Sequence, residues 1–161
     1  MSTSLTFHTS SPEETQSLAR RLGRACRGGE VFLLIGNLGA GKTCFTQGLA
    51  KGLDVDEYVH SPTFVLVSEY HGRRTIHHID LYRIESTPEA VDLGLDDYFN
   101  SDAVSVVEWA DKAAQAMPPE HLRVEMTDAG GTERDMKFTA HGKRYEELLA
   151  TLKPNAKNAK R

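Results

Sequence analysis

Apolar and polar positions follow two periods along this chain, and the period changes at residues that favour turns. Residues 4–9 alternate as a short first strand. Ser11-Pro12-Glu13-Glu14 then supplies a helix start: a serine cap, proline in the first turn and a glutamate three residues after the cap. Leu18, Leu22 and Ala25 mark one face of that helix, which is expected to end at Gly28-Gly29. Val31-Phe32-Leu33-Leu34-Ile35 is a continuous apolar run, the pattern of a strand covered on both faces. Residues 44–51, with Phe45 and Leu49 four apart, read as a helix closed by Gly52. Little periodicity follows over residues 54–63. Strands are expected over 64–70 and 75–82, joined as a hairpin by His71-Gly72-Arg73-Arg74. Ser86-Thr87-Pro88-Glu89 opens one helix carrying Val91, Leu93, Leu95, Tyr98 and Phe99. A second apolar run spans 103–109, and Pro118-Pro119 stops a short helix over 110–117. Residues 121–127 and 133–139 alternate around Asp128-Ala129-Gly130-Gly131-Thr132, a second hairpin, and Tyr145, Leu148, Leu149 and Leu152 mark a terminal helix.

The totals narrow the class. A chain of 161 residues is most simply one domain, here 1–152, with 153–161 left as a basic, disordered tail. Net charge of −4 gives no general attraction to nucleic acid. Cys26 and Cys44 form no C-x-x-C pair and no disulfide framework. No basic-then-apolar leader opens the chain, and no apolar run approaches the roughly 20 residues of a membrane span, so a soluble cytoplasmic protein without membrane attachment is expected. Arg20, Arg21 and Arg24 read as a solvated helix face. His77 and His78 are adjacent on a strand, face opposite sides and lack further spaced ligands, which makes them structural.

Candidate chemistry begins at Gly36-Asn37-Leu38-Gly39-Ala40-Gly41-Lys42-Thr43, which fits G-x-x-x-x-G-K-[ST]. Its glycines let backbone N–H groups wrap phosphates, and the following helix offers its unpaired amides and positive dipole end. In such a loop the lysine reaches the β- and γ-phosphates and the hydroxyl ligates Mg²⁺. Strand, glycine loop and helix succeed one another here as the motif requires. Downstream, His60-Ser61-Pro62-Thr63 ends the aperiodic segment, where Thr63 suits a γ-phosphate sensor or an ordinary turn. Asp80 closes one predicted strand and Glu108 another, the end at which ligands collect in open α/β sheets. A buried Glu108 without a cation would be costly, which favours a partner for it. Trp109 reads first as core. The expected fold is α/β: a three-layer P-loop NTPase with a mixed, mainly parallel central sheet plus antiparallel hairpins.

These pieces together resemble one family. Gly36 to Thr43, Ser61-Pro62-Thr63-Phe64 with Glu69-Tyr70, His78-Ile79-Asp80-Leu81-Tyr82-Arg83, and Val107-Glu108-Trp109-Ala110-Asp111 match the bacterial TsaE (YjeE) family in order and spacing, across about residues 5 to 150. The resemblance implies a Mg²⁺-dependent ATPase needed to make threonylcarbamoyladenosine in tRNA. It would act with TsaB and TsaD, reach tRNA indirectly or weakly, and be a monomer or weakly self-associating when alone. It further implies that the catalytic candidates are Lys42, Asp80 and Glu108 and that Thr43 and Glu108 serve the metal. Nucleotide contacts would come from Asn37, Leu38, Gly39, Ala40, Gly41, Lys42, Thr43 and Cys44, with Thr63 as the switch residue. The family's adenine pocket makes Thr9, Ser10 and Arg134 candidates. Either acid can orient the attacking water, and Arg83 is the one internal arginine considered as a finger. Two other readings stay open: a small-molecule kinase, and a nucleotide-gated binding module in which hydrolysis only resets docking.

Overall fold

The two continuous apolar runs take the middle of the sheet. Val31–Ile35 (β2) and Val104–Glu108 (β5) pair in parallel, with Leu33 opposite Val107 and Leu34 opposite Glu108. Every residue of β5 is buried, as expected of a strand covered on both faces. The computed structural model describes residues 3–37, 41–60 and 67–152. The expected strand residues 64–66, the tail 153–161 and the loop positions Leu38, Gly39 and Ala40 lie outside them.

Around this pair the chain lays down Thr3–Thr9 (β1), Pro12–Ala25 (α1), Lys42–Gly52 (α2), Val67–Tyr70 (β3), Ile76–Asp80 (β4), Thr87–Asp92 (α3) and Leu95–Phe99 (α4). After β5 come 3-10 turns over Ala110–Ala116, then His121–Gly130 (β6), Glu133–His141 (β7) and Lys143–Ala150 (α5). Among the described residues the seven strands form one sheet in the order β1-β7-β6-β2-β5-β4-β3. Both expected hairpins are present, and each contributes one strand to the parallel set: β4 runs parallel to β5, and β6 parallel to β2. The antiparallel pairs lie toward the two sides of the sheet: β3 with β4 on one, and β7 with both β6 and β1 on the other.

Alternation along the central strands divides the interior into two layers. Phe32, Leu34 and Val106 pack with Leu22 of α1, Phe45 and Leu49 of α2, and Leu148 and Leu149 of α5. Val31, Leu33 and Val107 point the other way, toward Ile79, Leu81, Leu95 and Ala110. Helices on both sides of a sheet make the three layers.

The capped helix starts form as written: Ser11 accepts from Glu14 N, and Ser86 from Glu89 N. Two expectations are corrected. α1 ends at Ala25, with Cys26 as an extended cap, before the glycines. The single helix expected after Ser86 is two, because Gly94 adopts a left-handed conformation (φ 73°) between Asp92 and Leu95; Val91, 57% exposed, faces solvent and not the core. α5 is tied to the start of β2 by buried polar groups. Tyr145 Oη accepts from Val31 N at 2.9 Å, while Glu30 accepts from Arg144 Nη2 and from Arg27 and Gly28 amides, each at 2.8 Å. Burial pushes the Glu30 carboxyl up, but these donors outweigh it and hold the group below the usual carboxylate range.

α1 and α2 touch backbone to backbone. A Cβ on Gly48 would lie 2.4 Å from Gln16 O, one on Gly23 2.3 Å from Leu49 O, and one on Gly52 2.3 Å from Arg20 O. Glycine at these three sites sets the interhelical distance, and with it where α2 begins. The helix that starts at the phosphate loop is therefore fixed along its length, not only at the loop.

Candidate functional site

The loop leaves β2 at Gly36, and α2 starts at Lys42 behind Gly41, whose φ of 103° is the left-handed region a Cβ disfavours. Lys42 is 6% exposed and turns back over the loop. Its Nζ donates to Gly36 O at 2.6 Å and Asn37 O at 3.1 Å, and sits 4.1 Å from the centroid of the Trp109 ring. Burial lowers the Lys42 pKa, against the attraction of Glu108, Asp80 and Asp111. Thr43 is half-buried in the first turn of α2, beside Cys44, whose Sγ–H donates to Pro12 O.

The two strand-end acids meet. Asp80 and Glu108 are register partners in the β4–β5 ladder, 5% and 3% exposed, at the ends of adjacent parallel strands. They lie on the face that carries α2, since Val106, two residues before Glu108, packs in that layer. Asp80 Oδ1 accepts the Tyr82 amide at 2.8 Å, which ties the carboxyl to the turn after β4. Burial raises the Asp80 pKa, opposed by the Tyr82 amide and helped by the charge of Glu108; His78 and Lys42 pull it down.

Glu108 has the partner that burial demands, and it is a protein group. His78 Nε2 is hydrogen-bonded to Glu108 Oε2. Expected from its strand position to be structural, His78 is fully buried against a candidate catalytic residue. The available signal was its spacing, two residues before Asp80 and so on the same face of β4. Trp109 was likewise read as core. It packs partly on the outer layer, but holds φ 60°, lies over Lys42, and stacks tilted on Tyr82 at 5.0 Å between centroids. Arg83 is exposed on the turn after β4.

Across the loop, the three candidates expected at a base pocket come together. Thr9 is buried, its Oγ1 2.7 Å from Thr15 Oγ1, and it is the register partner of Arg134 in the β1–β7 ladder. Ser10 is tied to the same corner through its carbonyl, which accepts from Thr132 Oγ1 at 2.7 Å. Arg134 Nη1 donates to Gly131 O and Glu133 O, both at 2.8 Å. Its Nε lies 3.8 Å from the point a Gly41 Cβ would occupy, with Met126 Cε at 3.3 Å from that point. The helix start is thus flanked by this corner on one side and by the paired acids on the other. Thr63, Leu38, Gly39 and Ala40 lie outside the described residues. Also among the described residues, no helix is long and apolar enough to cross a membrane.

Comparison with known proteins identifies the scaffold that carries these residues. Over residues 9–136 the chain matches the family described as "Threonylcarbamoyl adenosine biosynthesis protein TsaE". It is 44% identical over 149 residues to the tRNA threonylcarbamoyladenosine biosynthesis protein TsaE of Bacillus subtilis, covering 92% of this chain and 93% of that one. The Nostoc protein of the same name is 36% identical over 144 residues, covering 86% and 88%. The crystal structure of Bacillus subtilis YdiB superposes with a TM-score of 0.83 at 38% identity, covering 94% of this chain and 95% of that one. Lys42, the paired acids and the corner formed by Thr9, Ser10 and Arg134 therefore sit on a scaffold shared along nearly the whole chain, and the protein belongs to the TsaE family.

Proposed function

We propose that this protein hydrolyses ATP with Mg²⁺ as the TsaE component of the machinery that installs threonylcarbamoyladenosine in tRNA, acting together with TsaB and TsaD. One observation carries the enzymatic part: Lys42, at the start of the loop helix, faces Asp80 and Glu108 paired at the ends of β4 and β5. The family relationship supports the pathway.

The residues present suit both ligands. Lys42 spends its hydrogen bonds on two loop carbonyls, and it is a buried cation with its charge held in place for an anion to take. The hydroxyl of Thr43 and the carboxylate of Glu108 are hard oxygen donors, the kind Mg²⁺ prefers. When bound, Mg²⁺ would offset charge on the phosphate oxygens. Lys42 and the loop amides would bind the phosphates and stabilise charge spreading over the transferred group. Glu108 would serve the metal, and Asp80 would orient the attacking water and accept from it. Thr63 is proposed as the residue that responds to the γ-phosphate. Thr9, Ser10 and Arg134 would border the adenine, with Asn37, Leu38, Gly39, Ala40, Gly41 and Cys44 completing the wrap of the phosphates.

Phosphate release from ATP tests the reading. The wild-type chain should turn over slowly alone and faster with TsaB, TsaD and tRNA, while Lys42→Ala should lose at least about 100-fold in the assembled reaction. Turnover by Lys42→Ala at the wild-type rate would sink the proposal. So would phosphate appearing on a small-molecule acceptor in place of free phosphate, which is the kinase outcome.

A further inference from the structure

The fully buried histidine beside Glu108 is not accounted for by the roles above. His78 has no exposed surface, its Nε2 meets Glu108 Oε2, and its Nδ1 has no hydrogen-bond partner among the described residues. A buried polar ring retained in a layer otherwise filled by Tyr70, Ile76, Val104 and Val106 costs free energy unless its one hydrogen bond matters. An apolar residue of similar size would pack there without an orphan nitrogen.

Geometry says what the bond does. His78 and Asp80 stand on the same face of β4, two residues apart, and Glu108 is the register partner of Asp80 on β5. The imidazole therefore reaches Glu108 from behind, from the side where the strands come from, while Asp80 and Lys42 are at the strand ends. It engages Oε2 and leaves Oε1 outside that bond. An unbonded nitrogen is better tolerated as a lone pair than as an N–H, so the orphan Nδ1 fits a ring that carries its proton on Nε2 and donates to Oε2. Residues that hold a carboxylate ligand in one orientation in this way commonly tune metal affinity about 10- to 100-fold.

We propose that His78 is a positioning residue. Its Nε2–H fixes one oxygen of Glu108, so that the carboxylate presents a single oxygen, Oε1, to Mg²⁺ at the phosphate loop. The proposal rests on the ATPase reading and assigns to a residue outside the loop part of the metal dependence of nucleotide binding.

The test is binding of a fluorescent ATP analogue, titrated in EDTA and again at increasing Mg²⁺, followed by phosphate release. Three substitutions are compared after their melting midpoints are checked. His78→Gln carries an amide N–H that can extend to the Nε2 position. His78→Asn places its amide nearer Nδ1 and falls short of Glu108. His78→Leu fills space without a donor. All three should bind the analogue in EDTA as wild type does. His78→Asn and His78→Leu should need at least about 10-fold more Mg²⁺ for half-maximal effect, and His78→Gln should recover most of that loss. In a Glu108→Gln background, His78→Leu should add no further change, because both substitutions remove the same oriented oxygen.

A folded His78→Asn or His78→Leu protein with wild-type Mg²⁺ dependence overturns the proposal. So does a shift that His78→Gln fails to recover, or one that adds fully to that of Glu108→Gln. The underlying ATPase reading fails in a different way: the wild-type protein would then show no Mg²⁺ effect on nucleotide binding and no phosphate release.

Discussion

Asp80 carries two obligations that pull against each other. Its carboxyl is buried beside a second carboxyl, and burial first, then the Glu108 charge, lifts its pKa above the ordinary aspartate value. A native carboxyl with a raised pKa binds its proton more tightly folded than unfolded. Stability therefore declines as pH rises from the ordinary aspartate range through the raised value, and stays lower above it. Asp80→Asn keeps an oxygen for the Tyr82 amide and removes the charge. It should raise the melting midpoint at neutral pH by roughly 3 °C, the scale of about 1 kcal/mol in a chain of this size. It should also flatten the decline measured by thermal melts between pH 4 and 7, and lower turnover about 100-fold. A variant that loses activity while gaining stability would identify Asp80 as held for chemistry. Equal turnover by Asp80→Ala in the assembled complex would remove it from the mechanism. Glu108 differs because His78 engages one of its oxygens. Two acids that look equivalent at their strand ends are thus unequal in their surroundings, a difference that only long-range contacts create.

Elements differ in how far local sequence determines them. Ser11 and Ser86 announce their helices through caps that are complete within four residues, and both helices begin as expected. The apolar runs of β2 and β5 were equally plain, since strands covered on both faces have no alternation to misread. The break at Gly94 was harder to see: one glycine inside an apolar pattern is compatible with a continuous helix until its φ is known. The glycines of the α1–α2 contact were invisible for another reason. Their significance lies in the carbonyls of Gln16, Arg20 and Leu49 on a facing helix, which no window along the chain contains. Gly48→Ala places a methyl 2.4 Å from Gln16 O and must separate the two helices. A loss of about 3 kcal/mol in denaturant unfolding is expected. Nucleotide binding should weaken as well, because α2 carries Lys42 and Thr43 at its first turn. Wild-type stability in Gly48→Ala would mean that the helices pack with more slack than these distances allow.

At the scale of the whole molecule, the site is a product of strand order. The loop and α2 come early in the chain, but Asp80 and Glu108 arrive on β4 and β5, and Met126 and Arg134 on β6 and β7. The site's chemistry was legible as separate pieces because each acid ends an apolar strand. Its closure was legible only through the family resemblance, which groups Thr9 and Ser10 with Arg134, since no local window contains the β1–β7 pairing of Thr3 with Ala140 and Thr9 with Arg134. That pairing has a consequence for biosynthesis. Non-local strand pairs form only after the loop between them is closed, which makes them slow and late. During translation the first strand lacks its partner until residue 141 has cleared the ribosome, although the phosphate loop at residues 36–43 is made well before it. Chains ending at residue 132 should fail to retain a fluorescent ATP analogue, while chains ending at 152, without the basic tail, should bind as the full protein does. An emerging chain with its glycine loop complete is therefore not yet a nucleotide-binding protein, and its N-terminal strand is the part most in need of shelter until the last hairpin arrives.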